Sequence, residues 1–137
     1  MICVPPECGS LRTSEDMSSQ FRNLLAWQGG VALAVDVYRV CEKFPRAERF
    51  GLVQQMQRAG VSIPSNLAEG RGRGTIPDYR RFVLQARGST YELETQIEIA
   101  RRLGFMTEEE AIKLTNDAND VERMIHGLIR SLDRRAE

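Results

Sequence analysis

The chain has 137 residues, enough for one domain whose core needs neither disulfides nor a metal to hold it. Lys+Arg and Asp+Glu each number 19, so net charge gives no general pull toward nucleic acid or a membrane. Of the 19 cations 17 are arginine, with lysine only at Lys43 and Lys113, and the planar guanidinium suits interfaces with carboxylate or phosphate.

Residues 1–20 lack periodicity and are rich in Ser, Pro and acids, which predicts a disordered N-terminal tail ahead of a domain over 21–137. Cys3, Cys8 and Cys41 are odd in number and imply no disulfide framework. Pro5, Pro6 and Glu7 stand where a signal peptide needs an apolar run. No apolar stretch approaches the ~20 residues that span a bilayer, so a soluble cytoplasmic protein without membrane contact is expected.

From Leu24 the pattern becomes helical. Trp27, Val31, Ala34, Tyr38 and Cys41 recur at steps of four and three, with a second row at Leu33, Val37, Val40 and Phe44. Pro45 ends this helix, because the residue before a proline is pushed out of the α region. A second helix is expected from Glu48–Phe50 onward, with Leu52, Met56, Ala59, Ile63 and Leu67 as its stripe. Pro64 inside it removes one hydrogen bond and presses on the carbonyl of Gly60, which predicts a kink. Ser62, Ser65 and Asn66 can satisfy backbone left unpaired there. Ser62, Ser65, Asn66 and Glu69 are also candidates for a polar patch or an inter-subunit contact.

Thr75-Ile-Pro-Asp78 opens a third helix: Thr75 caps, Asp78 reaches back, and Pro77 sits where its missing N–H costs nothing. Its stripe is Tyr79, Val83, Ala86, Thr90, Leu93, Ile97 and Ala100, and Gly104 stops it. Thr107-Glu-Glu-Glu110 is a capping box for a fourth helix with the stripe Ala111, Leu114, Ala118, Val121, Ile125, Leu128 and Leu132. No strand is expected. Short links between four helices predict an all-α, up-down-up-down antiparallel four-helix bundle with helix two kinked at Pro64.

The segment Gly60–Gly74 carries the chain's main irregularity, ending in Gly70-Arg-Gly-Arg-Gly74. Arg71, Arg73, Arg80, Arg81 and Arg87 follow one another with Asp78 the only acid between residues 70 and 91. With the amides of the third helix N-terminus they form a candidate phosphate or nucleic-acid contact. The competing reading pairs these arginines with Glu92, Glu94, Glu98 and the acids of 108–122. The corner lacks the lysine and strand context of a phosphate-binding P-loop.

Several stretches in order carry a resemblance: Phe21–Leu24 with Trp27-Gln28, Lys43–Pro45 with Arg49–Leu52, Gln55–Gly72, Gly88-Ser89 with Glu92–Gln96, and Arg102–Phe105. Together they span residues 21 to about 133. The chain resembles the small four-helix-bundle proteins named after open reading frames in intervening sequences of bacterial 23S rRNA genes. That resemblance implies a ring-shaped homopentamer without assigned catalytic residues. A related branch, the accessory variability proteins of diversity-generating retroelements, binds reverse transcriptase and nucleic acid through a basic surface. This chain departs from that branch by being neutral overall, and it carries Gly60 and Leu67 where alanine and isoleucine are expected.

No catalytic residues, metal ligands or cofactor are expected. His126 is the only histidine and has no Cys or His at ligand spacing, and Glu92, Glu94 and Glu98 lack the Glu-x-x-His pattern of di-metal bundles. Ser65 and Ser89 have no base at a defined spacing. Leu84 and Tyr91, off the third helix's core stripe, are candidate oligomer contacts. The expectation is thus a non-enzymatic oligomeric scaffold that binds RNA or DNA. The alternative is a protein-interaction module whose arginines serve subunits or a partner such as a reverse transcriptase. Gly60, Ser62, Pro64, Asn66, Glu69 and Gly70 mark the motif.

Overall fold

The computed structural model describes residues 20–136, which contain no strand. A 3-10 turn at Gln20–Asn23 leads into α1 (Leu25–Cys41), and another at Arg46–Glu48 precedes α2 (Leu52–Arg71). Helices α3 (Ile76–Arg102) and α4 (Glu108–Ala136) complete the chain. The expected tail, except for Gln20, lies outside the described residues.

The principal contacts join α1 to α2, α2 to α3, α3 to α4 and α4 to α1, so the helices form a square. Neighbours run in opposite directions. Along α2 and α3, Arg58 meets Glu92, Ser62 meets Ser89, and Gly70 meets Phe82. Along α1 and α4, Gly29 faces Met124, Asp36 meets Lys113, and Lys43 meets Glu110. This is the up-down-up-down bundle the short links imply.

Leu33, Met56, Ile63, Leu67, Leu93, Ile97, Leu114, Ile125 and Leu132 meet in the centre and are essentially inaccessible. Burying each such side chain is worth about 1.5–3 kcal/mol. The core stripes of α2 and α3 fall where the periodicity puts them, although Leu52 is only partly buried.

Helix α1 differs. Trp27 and Val31 are half-buried and Tyr38 is 47% exposed, whereas Leu33, Val37 and Phe44 are buried. The core thus draws on both rows, on Leu33, Val37 and Phe44 from the second and on Ala34 and Cys41 from the first. Small residues cause the difference: a Cβ at Gly30 would come within 3.3 Å of Ile63 and Pro64, so α1 lies close against α2 along Ala26, Gly30 and Ala34. The stripe read from the sequence includes Ala34 but misses Ala26 and Gly30. In α4, Ile129 takes the buried position and Leu128 only half of it.

Boundaries follow local chemistry. Helix α2 starts at Leu52, later than Glu48–Phe50, because Gly51 has non-helical φ −108° and ψ −111°. The Glu48 carboxylate accepts the Leu52 N–H at 3.2 Å there. Pro64 is buried inside α2, which continues unbroken as a helix to Arg71. Gly104, at φ 75°, takes the left-handed turn that stops α3, and the Phe105 N–H reaches the Ala100 carbonyl at 3.0 Å. At the α4 start, the Thr107 N–H donates to Glu110 at 2.9 Å and the Glu110 N–H to Thr107 Oγ1 at 3.1 Å, the full capping box.

Candidate nucleic-acid interface at the arginine end

The corner between α2 and α3 is drawn tight by glycine. A Cβ on Gly70 would stand 2.7 Å from the Phe82 Cβ, so only glycine lets the end of α2 lie on the first turns of α3. Phe82 and Tyr79 are buried beneath this crossing. The arginines close over their rings: Arg73 and Arg81 lie 4.8 Å and 4.6 Å from the Phe82 centroid, and Arg71 lies 5.8 Å from that of Tyr79. Guanidinium on an aromatic face is worth ~0.5–1 kcal/mol at exposed sites.

Three of these arginines also meet acids. Arg73 pairs with Glu69 at 2.9 Å, Arg80 with Asp133 at 2.6 Å, and Arg81 more loosely with Asp78 at 3.7 Å. None uses the acids of 92–98 or 108–122 that the sequence suggested. All three pairs are solvent-exposed and contribute at most ~1 kcal/mol each. Arg87 sits two turns further along α3, half-buried, without a hydrogen bond or ion pair among the described residues. The amides of the α3 N-terminus are partly committed, since Thr75 Oγ1 accepts the Asp78 N–H at 3.3 Å and Pro77 has none to offer.

The Arg80–Asp133 pair brings the α4 C-terminus to this same end. Arg134 and Arg135 stand in its last turn, where the negative helix end favours cations. Burial pushes the Tyr79 hydroxyl above its usual range, while the Arg71 and Arg135 charges pull it back. Arg22 adds a further cation at the α1 start, within 5.4 Å and 5.8 Å of the Phe21 and Trp27 ring centroids. Across segments 20–28, 69–81 and 128–136 there are 8 arginines against the acids Glu69, Asp78 and Asp133. The end is positive although the chain is neutral. Arg130, Arg134 and Arg135 are the residues missed from sequence; their signal was the antiparallel topology, which sets the α4 C-terminus beside the α3 start.

A family model described as 23S rRNA-intervening sequence protein matches residues 22–127. The chain belongs to that family. A crystal structure of a protein of unknown function from the S23 ribosomal protein family of Bacteroides thetaiotaomicron is similar in fold, with a TM-score of 0.70 at 20% identity. The match covers 77% of this chain and 98% of that one. No curated protein matches the chain.

In this chain the motif residues serve different contacts. Ser62 turns toward α3, where its hydroxyl bonds that of Ser89, and Asn66 donates within α2 to the Ser62 carbonyl at 2.8 Å. Ser65 instead lines a groove against α1 with Pro64, and Glu69 holds Arg73. Ser62, Ser65, Asn66 and Glu69 recur at three- and four-residue steps along one broad face of α2, which touches α3 at Ser62 and α1 at Ser65. A Cβ on Gly60 would be in ordinary contact with Ala34, 3.6 Å away, so Gly60 is not required by packing. Leu84 is partly buried against the core, whereas Tyr91 is exposed and its hydroxyl lies 3.2 Å from His126 Nε2.

Burial pushes the Cys41 thiol up to about 11 and keeps it protonated. Among the described residues no cluster of His, Cys, Asp or Glu has metal-binding geometry, and no helix is long and apolar enough to cross a membrane.

Proposed function

We propose that this chain is a non-enzymatic, oligomeric bundle protein of the cytoplasm that binds structured RNA or DNA through its arginine end. One observation carries the reading: arginines from the ends of α2, α3 and α4 converge on one end of a neutral protein. Arg73 and Arg81, laid over Phe82, keep their side chains 43% and 55% exposed. A guanidinium held by its face is pre-organised with its N–H edges outward, the geometry phosphate oxygens accept. A homo-oligomer, five-membered by family resemblance, repeats the patch and gains avidity from weak contacts.

Fluorescence anisotropy with a labelled RNA hairpin and a DNA duplex, at two salt concentrations, tests it. Changing Arg71, Arg81, Arg134 and Arg135 together to Ala should weaken binding ~100-fold at low salt. Equal binding by variant and wild type, or none by the wild type, contradicts the proposal.

The pairs Arg73–Glu69, Arg80–Asp133 and Arg81–Asp78 favour a second reading, because they already neutralise part of the patch. On that reading the arginines serve subunit contacts or a partner protein such as a reverse transcriptase. The same four substitutions then change the mass in light scattering, and nucleic-acid binding is absent throughout.

A further inference from the structure

Two glutamates one turn apart on α3 have opposite partners. Glu98 accepts from Arg101 and Arg102 at 2.6 Å and 2.9 Å, which holds it well below the usual carboxylate range. Glu94 faces α4 and makes no ion pair among the described residues. Its Oε1 is buried and is met by no N–H or hydroxyl donor, and the side chain its carboxyl bonds is that of Glu122. Ionised carboxylates only accept, so this contact exists only while one of the two holds a proton. Burial first, then the Glu122 charge and its hydrogen bond, push the Glu94 carboxyl up from its ordinary 4.5.

The second carboxylate is placed by its own helix. Glu122 Oε1 lies 3.9 Å from His126 Nε2, one turn along α4, and the Tyr91 hydroxyl of α3 lies 3.2 Å from the same nitrogen. Tyr91, Glu94, Glu122 and His126 thus make a run of contacts that crosses the α3–α4 seam twice. The charges around them are engaged elsewhere. Arg101 and Arg102 hold Glu98, Arg58 of α2 holds Glu92 on the far flank of α3, and Arg123 of α4 holds Asp120. Arg87 and Arg130, about two turns from the carboxylates on α3 and α4, make no ion pair with either. An opening lined by Tyr91, Glu94, Thr95 and Ile99 gives protons a way to Glu94 from solvent.

We propose that Glu94 and Glu122 form a proton-operated clasp between α3 and α4. With one proton present, the Glu94 O–H donates to the Glu122 carboxylate and draws the two helices together. When that proton leaves to solvent, two carboxylates remain in contact, repel, and loosen the seam. Tyr91 holds His126 beside Glu122, a role within the chain for an exposed aromatic. The folded value of Glu94 lies above its unfolded one, so the clasp's stabilisation is complete below about pH 4.5 and is lost as pH rises through the folded value. Glu98, four residues on, has the opposite dependence.

Carboxyl carbon NMR on the labelled protein, titrated from about pH 4 to about pH 8 with Glu94 assigned from its backbone, tests this. The Glu94 midpoint should lie above 4.5 in the wild type and move down in E122Q, where an amide replaces the repelling charge. In urea melts E94Q should gain on the wild type as pH rises through that midpoint, whereas E98Q should show no such gain. A wild-type midpoint at or below 4.5 overturns the proposal. So does a midpoint unchanged in E122Q, which leaves burial alone as its cause. A difference between the E94Q and wild-type melts that is the same at every pH also overturns it.

Discussion

The two ends of this bundle hold similar numbers of charged side chains and use them differently. At the end formed by the α3 C-terminus and the α4 N-terminus, the ions are matched into a lattice. Arg101 holds Glu98 and Glu108, Lys43 holds Glu110, and Lys113 bridges Asp36 and Asp117. These contacts hold Glu98 down to about 2 and lower Glu110, whose carboxylate accepts from Lys43 first and from the Thr107 amide next. At the opposite end arginines outnumber acids and lie on Phe82 and Tyr79 instead. The net charge of zero thus conceals an excess of arginine at one end, balanced by acids spread over the rest of the chain.

The largest contrast should appear in nucleic-acid binding. Removing Arg101, Arg102 and Lys113 from the paired end should leave affinity within about twofold, against the ~100-fold loss on removing the four arginines of the other end. Equal losses in an anisotropy titration would erase the distinction between the ends.

Next in size is the packing that builds the arginine end. Gly70→Val forces side-chain atoms into Phe82 and should destabilise the bundle by about 2–3 kcal/mol in a denaturant melt. Gly60→Ala, ten residues earlier on the same helix, should stabilise it by about 0.5–1 kcal/mol, because the new methyl has room and glycine is a poor helix former. Melts that respond alike at both positions would show that the close approach is not confined to the corner. Phe82→Leu follows, at about 1–2 kcal/mol, and should also loosen Arg73 and Arg81 and raise the nucleic-acid dissociation constant a few-fold.

The smallest effect belongs to the paired end. Glu98 is ionised more easily in the folded chain than in the unfolded one, where its ordinary value is 4.5. Its contribution is therefore present above about pH 4.5 and is lost as pH falls toward about 2. The carboxylate is exposed, so the effect is modest, and Glu98→Gln should flatten the acid limb of the stability curve slightly. An unchanged acid limb would mean that the arginine contacts do not persist in solution.

Where the sequence carried strong local chemistry, it was legible. Thr107 with Glu110, Thr75 with Pro77, and Gly104 each announce a helix boundary through one residue's own bonding, and each boundary is found there. In helix α1 the apolar rows were legible, whereas the contact positions Ala26 and Gly30 were not, because they carry little hydrophobic signal yet permit the close approach to α2. The arginine corner was legible as a run of charges with Glu69 and Asp78 close by, whereas its distant partner Asp133 was not. Asp133 lies 53 residues from Arg80, and only the antiparallel packing of α3 and α4 brings them together. Arg134 and Arg135 were overlooked for the same reason.

The most direct test of the arginine end is the slope of log affinity against log salt for an RNA hairpin, measured on the wild type and on the variant lacking Arg71, Arg81, Arg134 and Arg135. Each arginine that meets a phosphate contributes roughly one to the slope, so the wild type should be steeper by about three to four. Parallel lines for the two proteins would mean that these arginines touch no phosphate.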